Sequence, residues 1–218
     1  MNQENFPLNI HDSNCVKCQR LSTGLGELKK IYPSYYCAPV PSFGPLDSEL
    51  LIVGLAPGLH GANASGRPFT GDYAGTLLFE TLYKYGFSDG RLSLAKTDNL
   101  KLNNCRIVNA VKCWPPKNKP TLEEIKNCND FLKSEIISCK PKVILSLGKI
   151  AHDAVILALG LKRKDFIFKH GFFHEFKTNR YIVNSYHTSK YNVYTKRITY
   201  EMFYNLLYKV SKIINHVD

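Results

Sequence analysis

Four short, largely apolar runs punctuate the chain: LLIVG (50–54), CRIVNA (105–110), KVILSL (142–147) and YIVNS (181–185). A strand with one wet face alternates apolar and polar residues, whereas a run without a polar face must be covered on both sides. The segments between the runs carry helical periodicity, over Gly75 to Gly86, Thr121 to Cys139, Gly148 to Leu159 and Thr195 to Ile214. With a shorter strand near 173–177, this order predicts an α/β fold, a doubly wound three-layer α/β/α domain around a mostly parallel sheet of four to five strands. The length of 218 residues suits one such domain, expected over 15–218 behind an N-terminal extension of residues 1–14.

The clearest helix start is KPTLEEIKNC. Thr121 suits an N-cap, Glu124 completes a capping box three residues later, and Pro120 stands just outside. Cys128 then falls two turns into the helix.

In an open parallel sheet, ligands bind outside the carboxyl ends of the strands. Three loops leave such ends here: Gly54 to Asp72, Cys113 to Pro120 and Tyr186 to Lys196. The first, GLAPGLHGANASGRPFTGD, is rich in glycine but contains neither a Gly-Lys-Ser/Thr ending nor GxGxxG, so it has no signature of a loop that cradles nucleotide phosphates. The loops bring one ring (Phe69), one carboxylate (Asp72), one amide (Asn118) and one imidazole (His187) to a common edge. Without a second strong carboxylate, a paired-carboxylate glycosidase of the sugar-polymer type is disfavoured. What remains suits a water activated by Asp72, a flat apolar wall, and a donor for charge developing on a leaving group. Each residue also has a plainer reading: Asp72 as a helix cap, Phe69 as core, Asn118 as a turn former and His187 as a structural histidine.

The net charge of +11 favours a polyanionic partner, with nucleic acid the leading class. No apolar run reaches membrane-spanning length, and the start MNQENFPLNIHDSN has no signal-peptide character, so a cytoplasmic location without membrane contact is expected. In that compartment thiols stay reduced, and the seven cysteines argue against a disulfide framework. Cys15 and Cys18 form CxxC, and Cys113 and Cys128 form a wider pair at the same end of the sheet, a spacing for which zinc is the generic reading. Cys37, Cys105 and Cys139 read as ordinary small side chains.

Taken together, Cys15-Val-Lys-Cys18-Gln-Arg-Leu, GLAPGLHGAN…GRPFTGD, RIVNAVKCWPPKNKPTLEEIKNC and SYHTSKYNVYTKRIT resemble the iron–sulfur uracil-DNA glycosylases, most closely their family 5 branch, with family 4 a near relative. The resemblance implies a pocket for a base flipped out of DNA, and hydrolysis of the N-glycosidic bond of uracil and of other deaminated bases such as hypoxanthine. By match to the motifs, Asp72 would orient or deprotonate the attacking water and Asn118 would help hold it. His187 would bond a base carbonyl and stabilise the departing anion, Phe69 would stack on the base, and Ala56, Pro57 and Gly58 would close the pocket. The resemblance also replaces zinc by a structural [4Fe–4S] cluster on Cys15, Cys18, Cys113 and Cys128.

The chain departs from the family 5 pattern at Ala64-Ser65, where Arg-Thr is common, and at Thr188 and Lys196. Asn109 is a further departure: family 4 reads the base edge with an asparagine here, and an amide that both donates and accepts would narrow the preference toward uracil. In the last loop, Ser189, Lys190, Lys196 and Arg197 are expected to hold phosphates, with Tyr191 and Asn192 as a wedge into the gap left by the flipped nucleotide. The expected partner is therefore DNA carrying uracil or another deaminated base, bound by a monomer. A strict family-4-like enzyme and a non-catalytic iron–sulfur or zinc DNA-binding module are the alternatives.

Overall fold

The computed structural model describes residues 9–215; residues 1–8 of the expected extension lie outside the described residues. The sheet has five strands, β1 (Leu50–Gly54), β2 (Cys105–Asn109), β3 (Val143–Leu147), β4 (Phe173–Lys177) and β5 (Arg180–Ser185), in the order β2-β1-β3-β5-β4. The pairs β1·β2, β1·β3 and β3·β5 are parallel, and β4 closes one edge as the antiparallel partner of β5. Every residue of β1, β2 and β3 is buried, as coverage on both faces requires, Arg106 and Asn109 of β2 included, while the exposed and half-buried edge strand β4 reads FHEFK.

From β1 the chain steps to β2 on one side, then returns past β1 to β3 on the other. Right-handed crossovers in opposite directions put their helices on opposite faces, which makes the fold doubly wound. Helices α3 (Tyr73–Lys84) and α7 (Tyr200–Asn215) cover one face, where Ile52, Ile107, Leu145 and Val183 meet Leu78, Phe79, Phe203 and Leu207. On the other face, α1 (Gln19–Ile31), α4 (Leu122–Cys139) and α5 (Lys149–Ala158) cover Leu51, Val53, Val108, Ile144 and Ile182. Alternate residues of each strand thus feed two cores, and the fully buried Phe79 and Phe203 each stabilise the fold by roughly 1.5–3 kcal/mol.

The capping box forms as the sequence indicates: Thr121 Oγ1 accepts from Glu124 N at 3.2 Å and Glu124 Oε2 from Thr121 N at 2.8 Å. Arg20 of α1 forks onto the same carboxylate at 2.8 and 2.7 Å, tying the first helix to α4. Beneath β2, Glu135 pairs with Arg106 at 2.7 Å and faces Lys112 Nζ at 3.7 Å, while Ser42 Oγ also bonds it. This satisfied buried network pins strand β2, the segment before β1 and α4 to one another.

Several boundaries differ from expectation. Helix α3 starts at Tyr73 because Asp72 caps it, two residues before Gly75. The last helix starts at Tyr200; a separate short helix α6 (Lys190–Tyr194), capped by Ser189, takes up the preceding loop. Helix α1 and the single turn α2 (Ala62–Ser65) are additional elements. No helix of the described residues is long and apolar enough to cross a membrane.

Candidate active site

Strand pairing continues a step beyond β1 and β2, with Ala110 N on Gly54 O at 2.9 Å and Val111 N on Leu55 O at 3.0 Å. That carries Leu55-Ala56 and Asn109 side by side to the carboxyl edge of the sheet. There they enter a cleft of about 440 Å³, lined also by Gly58, Ala62, Phe69, Asp72, Tyr73, Ala74, Asn118, His187, Ser189 and Lys190. This volume fits a small planar molecule and lies within the usual range for ligand pockets.

Phe69 is held at φ 55°, a left-handed conformation that a bulky residue adopts only where its surroundings impose it. The restraint comes from Arg67, whose Nε donates to Thr70 Oγ1 at 2.9 Å and whose Nη2 donates to Ser93 Oγ and Asp98 Oδ2, each at 2.6 Å. Burial opposes ionisation of Asp98, but Arg67 and the backbone N–H groups of Leu100, Leu94 and Ala95 outweigh it and hold the carboxyl well below its ordinary range. Gly75 lets the first turn of α3 pass under the loop, since a Cβ there would lie 2.0 Å from Phe69 O. So fixed, the Phe69 ring stacks against the His187 imidazole, centroids 5.9 Å apart at 27°.

Asp72 is both a cap and a cleft group. Its Oδ1 accepts from Gly75 N at 3.0 Å, and its Oδ2 faces the glycines of the first loop, where a Cβ on Gly61 would lie 2.5 Å away. Burial raises its pKa, and the N–H groups of Gly75 and Ala74 offset part of that rise. His187 follows β5 and is positioned through its backbone: Asn192 Nδ2 donates to His187 O at 2.8 Å, and Thr188 Oγ1 ties the loop to Ala74 O at 2.9 Å. Burial lowers the His187 pKa to about 4, so the ring is neutral at physiological pH.

Asn118 reaches the cleft from a tight turn, Pro116–Asn118, in which Lys117 and Asn118 both take positive φ, 59° and 54°. Asn109 is 5% exposed, and among the described residues its side-chain amide has no hydrogen-bond partner, which leaves both ends open to the cleft. Gly54 makes this possible: a Cβ there would lie 2.4 Å from Asn109 Oδ1 and 2.7 Å from Phe69 Cε2.

The cleft therefore gathers Ala56, Gly58, Phe69, Asp72, Asn109, Asn118, His187, Ser189 and Lys190 of the residues singled out from sequence. Pro57 is buried behind the lining. Tyr191 is exposed near the mouth, and the Asn192 amide is engaged with His187 O. Lys196 lies exposed at the end of α6 with φ 56°, and the Arg197 guanidinium sits 4.8 Å over the Tyr186 ring. Leu55, Ala62, Tyr73 and Ala74 are lining residues that the sequence reading passed over; Tyr73 follows Asp72 directly, and that adjacency was the available signal.

Cys15, Cys18, Cys113 and Cys128 line one small, mostly apolar cavity together with Leu21, Val111 and Phe131. Two N–H groups point at the sulfurs, Lys112 N on Cys128 Sγ at 3.3 Å and Asn127 Nδ2 on Cys18 Sγ at 3.7 Å. Burial pushes the Cys113 thiol up to about 12 and the Cys128 thiol up to about 11, and raises Cys18. Among the described residues, no three His, Cys, Asp or Glu side chains are grouped tightly enough to hold a single metal ion. An all-thiol donor set with N–H groups aimed at sulfur fits an iron–sulfur centre, in which the ligands surround a larger body than one ion.

The family model described as Uracil DNA glycosylase superfamily matches residues 41–210. A type-5 uracil-DNA glycosylase of Thermus thermophilus is 39% identical over 180 residues, 82% of each chain. Another type-5 enzyme, from Pyrobaculum aerophilum, is 37% identical over 202 residues, 91% of this chain and 88% of that one. A type-4 uracil-DNA glycosylase of Archaeoglobus fulgidus is 34% identical over 139 residues, 63% of this chain and 56% of its own. A match spanning both the sheet and all three cleft loops establishes that the chain belongs to the uracil-DNA glycosylase superfamily.

Proposed function

We propose that the protein hydrolyses the N-glycosidic bond of uracil in DNA, and of other deaminated bases such as hypoxanthine. The observation that carries this reading is the convergence, in one cleft of about 440 Å³, of an aromatic face, an unpartnered amide, a neutral imidazole and a half-buried carboxylate. The shape suits one extruded base. Extrusion costs a few kcal/mol and is easiest at a mismatch, which deamination of cytosine or adenine creates, so selection begins before chemistry.

In the proposed mechanism the base slides over Phe69, and the Asn109 amide meets its polar edge with a donor and an acceptor. Asp72 Oδ2 takes a hydrogen bond from water, and the raised proton affinity of the carboxylate makes it a better base toward that water. Asn118 holds the same water from the opposite loop. As the C1′–N bond breaks, the electron pair leaves with the base, and the water oxygen bonds C1′ while its proton passes to Asp72. The neutral His187 donates a hydrogen bond to the base oxygen on which the negative charge collects. Ser189 and Lys190 at the cleft edge hold backbone phosphates, with Tyr191, Lys196 and Arg197 on the surface beside them. One copy of the chain supplies every group, so a monomer suffices. Cys15, Cys18, Cys113 and Cys128 are the proposed ligands of a [4Fe–4S] cluster, whose role is to pin the N-terminal segment to the Cys113 loop and α4.

The open Asn109 amide favours uracil among the candidate bases, because uracil flanks its ring N–H with two carbonyl acceptors whereas hypoxanthine flanks its own with one. The test is base release from oligonucleotides carrying uracil, hypoxanthine or no lesion, by wild type and Asp72→Asn. Release of uracil by wild type alone supports the reading, and hypoxanthine release sets its breadth. Folded protein that binds the DNA but frees no base sinks the catalytic reading in favour of a binding module.

A further inference from the structure

Helix α7 carries Tyr200, Tyr204 and Tyr208 at four-residue spacing, which puts the three rings on one face over roughly 12 Å of helix. The row begins at the cleft. Tyr200 lies beside the Tyr73 hydroxyl, and Tyr73, a lining residue, meets the exposed Tyr194 edge-on with centroids 5.9 Å apart. Further along, Tyr200 packs edge-on against Tyr204 at 6.1 Å, and Tyr208 lies tilted against Tyr85 at 6.2 Å. Cations accompany them at each step. Lys190 stands over Tyr194 at 5.4 Å, Lys84 over Tyr204 at 4.5 Å and Lys212 over Tyr208 at 5.8 Å. The acidic groups on the row are Glu80, which faces the Tyr200 and Tyr204 hydroxyls, and the exposed Glu201 at the start of α7.

The site chemistry described above uses none of this surface beyond Tyr73 and Lys190. Rings alternating with lysines suit one kind of polymer, because a polyanion with unpaired bases offers phosphates to the cations and flat faces to the rings. A duplex hides its base faces, and an acidic protein segment offers no series of stacking partners. From these observations we infer that the row of rings and lysines along α7, beside α3, is a track for single-stranded DNA, taking the unpaired flank of the strand whose base occupies the cleft. The inference rests on the reading of the cleft as a DNA site and extends it to substrates at strand ends, gaps and forks.

The experiment compares binding, by fluorescence anisotropy, of a blunt uracil-containing duplex and the same duplex with a single-stranded extension on either side of the lesion strand. Uracil release from the blunt duplex is measured in parallel. Stacking on aromatic side chains predicts that one polarity of extension lowers Kd by about tenfold or more. Tyr208→Ala, at a 49% exposed residue, and Tyr204→Leu, which keeps apolar packing, should each remove most of that gain without changing the blunt-duplex Kd or its uracil release. Lys84→Gln should reduce the salt slope for the extended DNA by about 0.7, one phosphate contact. An extension gain that is absent in wild type, or that survives both tyrosine variants, overturns the inference and leaves the surface to a protein partner. A gain that behaves as expected while no base is released supports the track and refutes the proposed chemistry instead.

Discussion

Gly54→Ala adds one methyl group at the end of β1, a position that touches neither DNA nor water in the proposed mechanism. Its Cβ would lie 2.4 Å from Asn109 Oδ1 and 2.7 and 2.8 Å from Phe69 Cε2 and Cζ, against 3.4 Å for ordinary contact. The amide can swing away, but the ring cannot easily follow. Phe69 is locked by its positive φ, by Arg67 and by the stacked His187 imidazole, so relief requires a ring shift of about 0.7 Å. A misplacement near 1 Å costs on the order of a hundredfold in rate, about 2.7 kcal/mol of barrier, while overpacking costs about 1–3 kcal/mol of stability. Single-turnover uracil release and a thermal melt read the two effects separately. Adding Asn109→Ala should cost less in the Gly54→Ala background than in wild type, because the amide has already been dislodged. A folded Gly54→Ala protein releasing uracil within about threefold of wild type would refute the roles given to Phe69 and Asn109, since about 0.7 kcal/mol is too little for either to have been displaced from a bound base.

Asp72→Asn should lower uracil release by about 10²–10⁴-fold with little loss of melting temperature, because asparagine caps helices as well as aspartate does. The His187 pKa is depressed by burial from 6.5 to about 4, so the unfolded chain binds the extra proton first: stability falls as pH drops from about 6.5 toward 4, and His187→Gln should flatten that part of a melting-temperature profile. Asp98→Asn removes the partner of buried Arg67 and should cost about 3–5 kcal/mol in denaturant unfolding, with residual activity reduced as Phe69 loosens. Elemental analysis of anaerobically purified protein should find about four iron atoms and no stoichiometric zinc per chain, and Cys113→Ser should lower both iron content and melting temperature; one zinc and no iron would refute the cluster.

The sheet was legible because burial on both faces leaves short apolar runs whose length and flanking turn residues mark them as strands: LLIVG and VILSL contain no polar face to misplace. The loops that leave those strands were legible as a set, since topology sends all their starting points to one edge whatever their sequences. Helix α1 was harder to see. Leu21, Leu25 and Leu28 carry its buried stripe, but Gly24 and Gly26 interrupt the pattern, and its place depends on the docking of Arg20 on Glu124, far away in sequence. The same limit applies to Asn192. As a side chain near a basic loop it reads as a wedge, yet its amide holds the His187 carbonyl, a partner that becomes visible only when α6 folds back. Position along the chain reveals which groups share an edge, while three-dimensional neighbours decide which of them stay free to act.

Asp72 shows how these two levels meet. As a plain cap it would need only one oxygen, and the helix N-terminus would lower its pKa. Here Oδ1 accepts from Gly75 N and the Ala74 N–H adds a second backbone contact, while the glycine-rich loop closes around Oδ2 without offering it a side-chain donor. Burial then outweighs the backbone hydrogen bonds and the pKa rises rather than falls. The cap fixes the carboxylate in orientation, and the loop leaves its second oxygen under-solvated, the combination a general base for water requires. Gly61 of GLAPGLHGANASG serves that end sterically: a side chain there would put its Cβ 2.5 Å from Oδ2. A glycine-rich loop after a strand in this fold can therefore shape the surroundings of a carboxylate as readily as it can bind an anion, and the residue at its end, Asp72 rather than Lys, decides which.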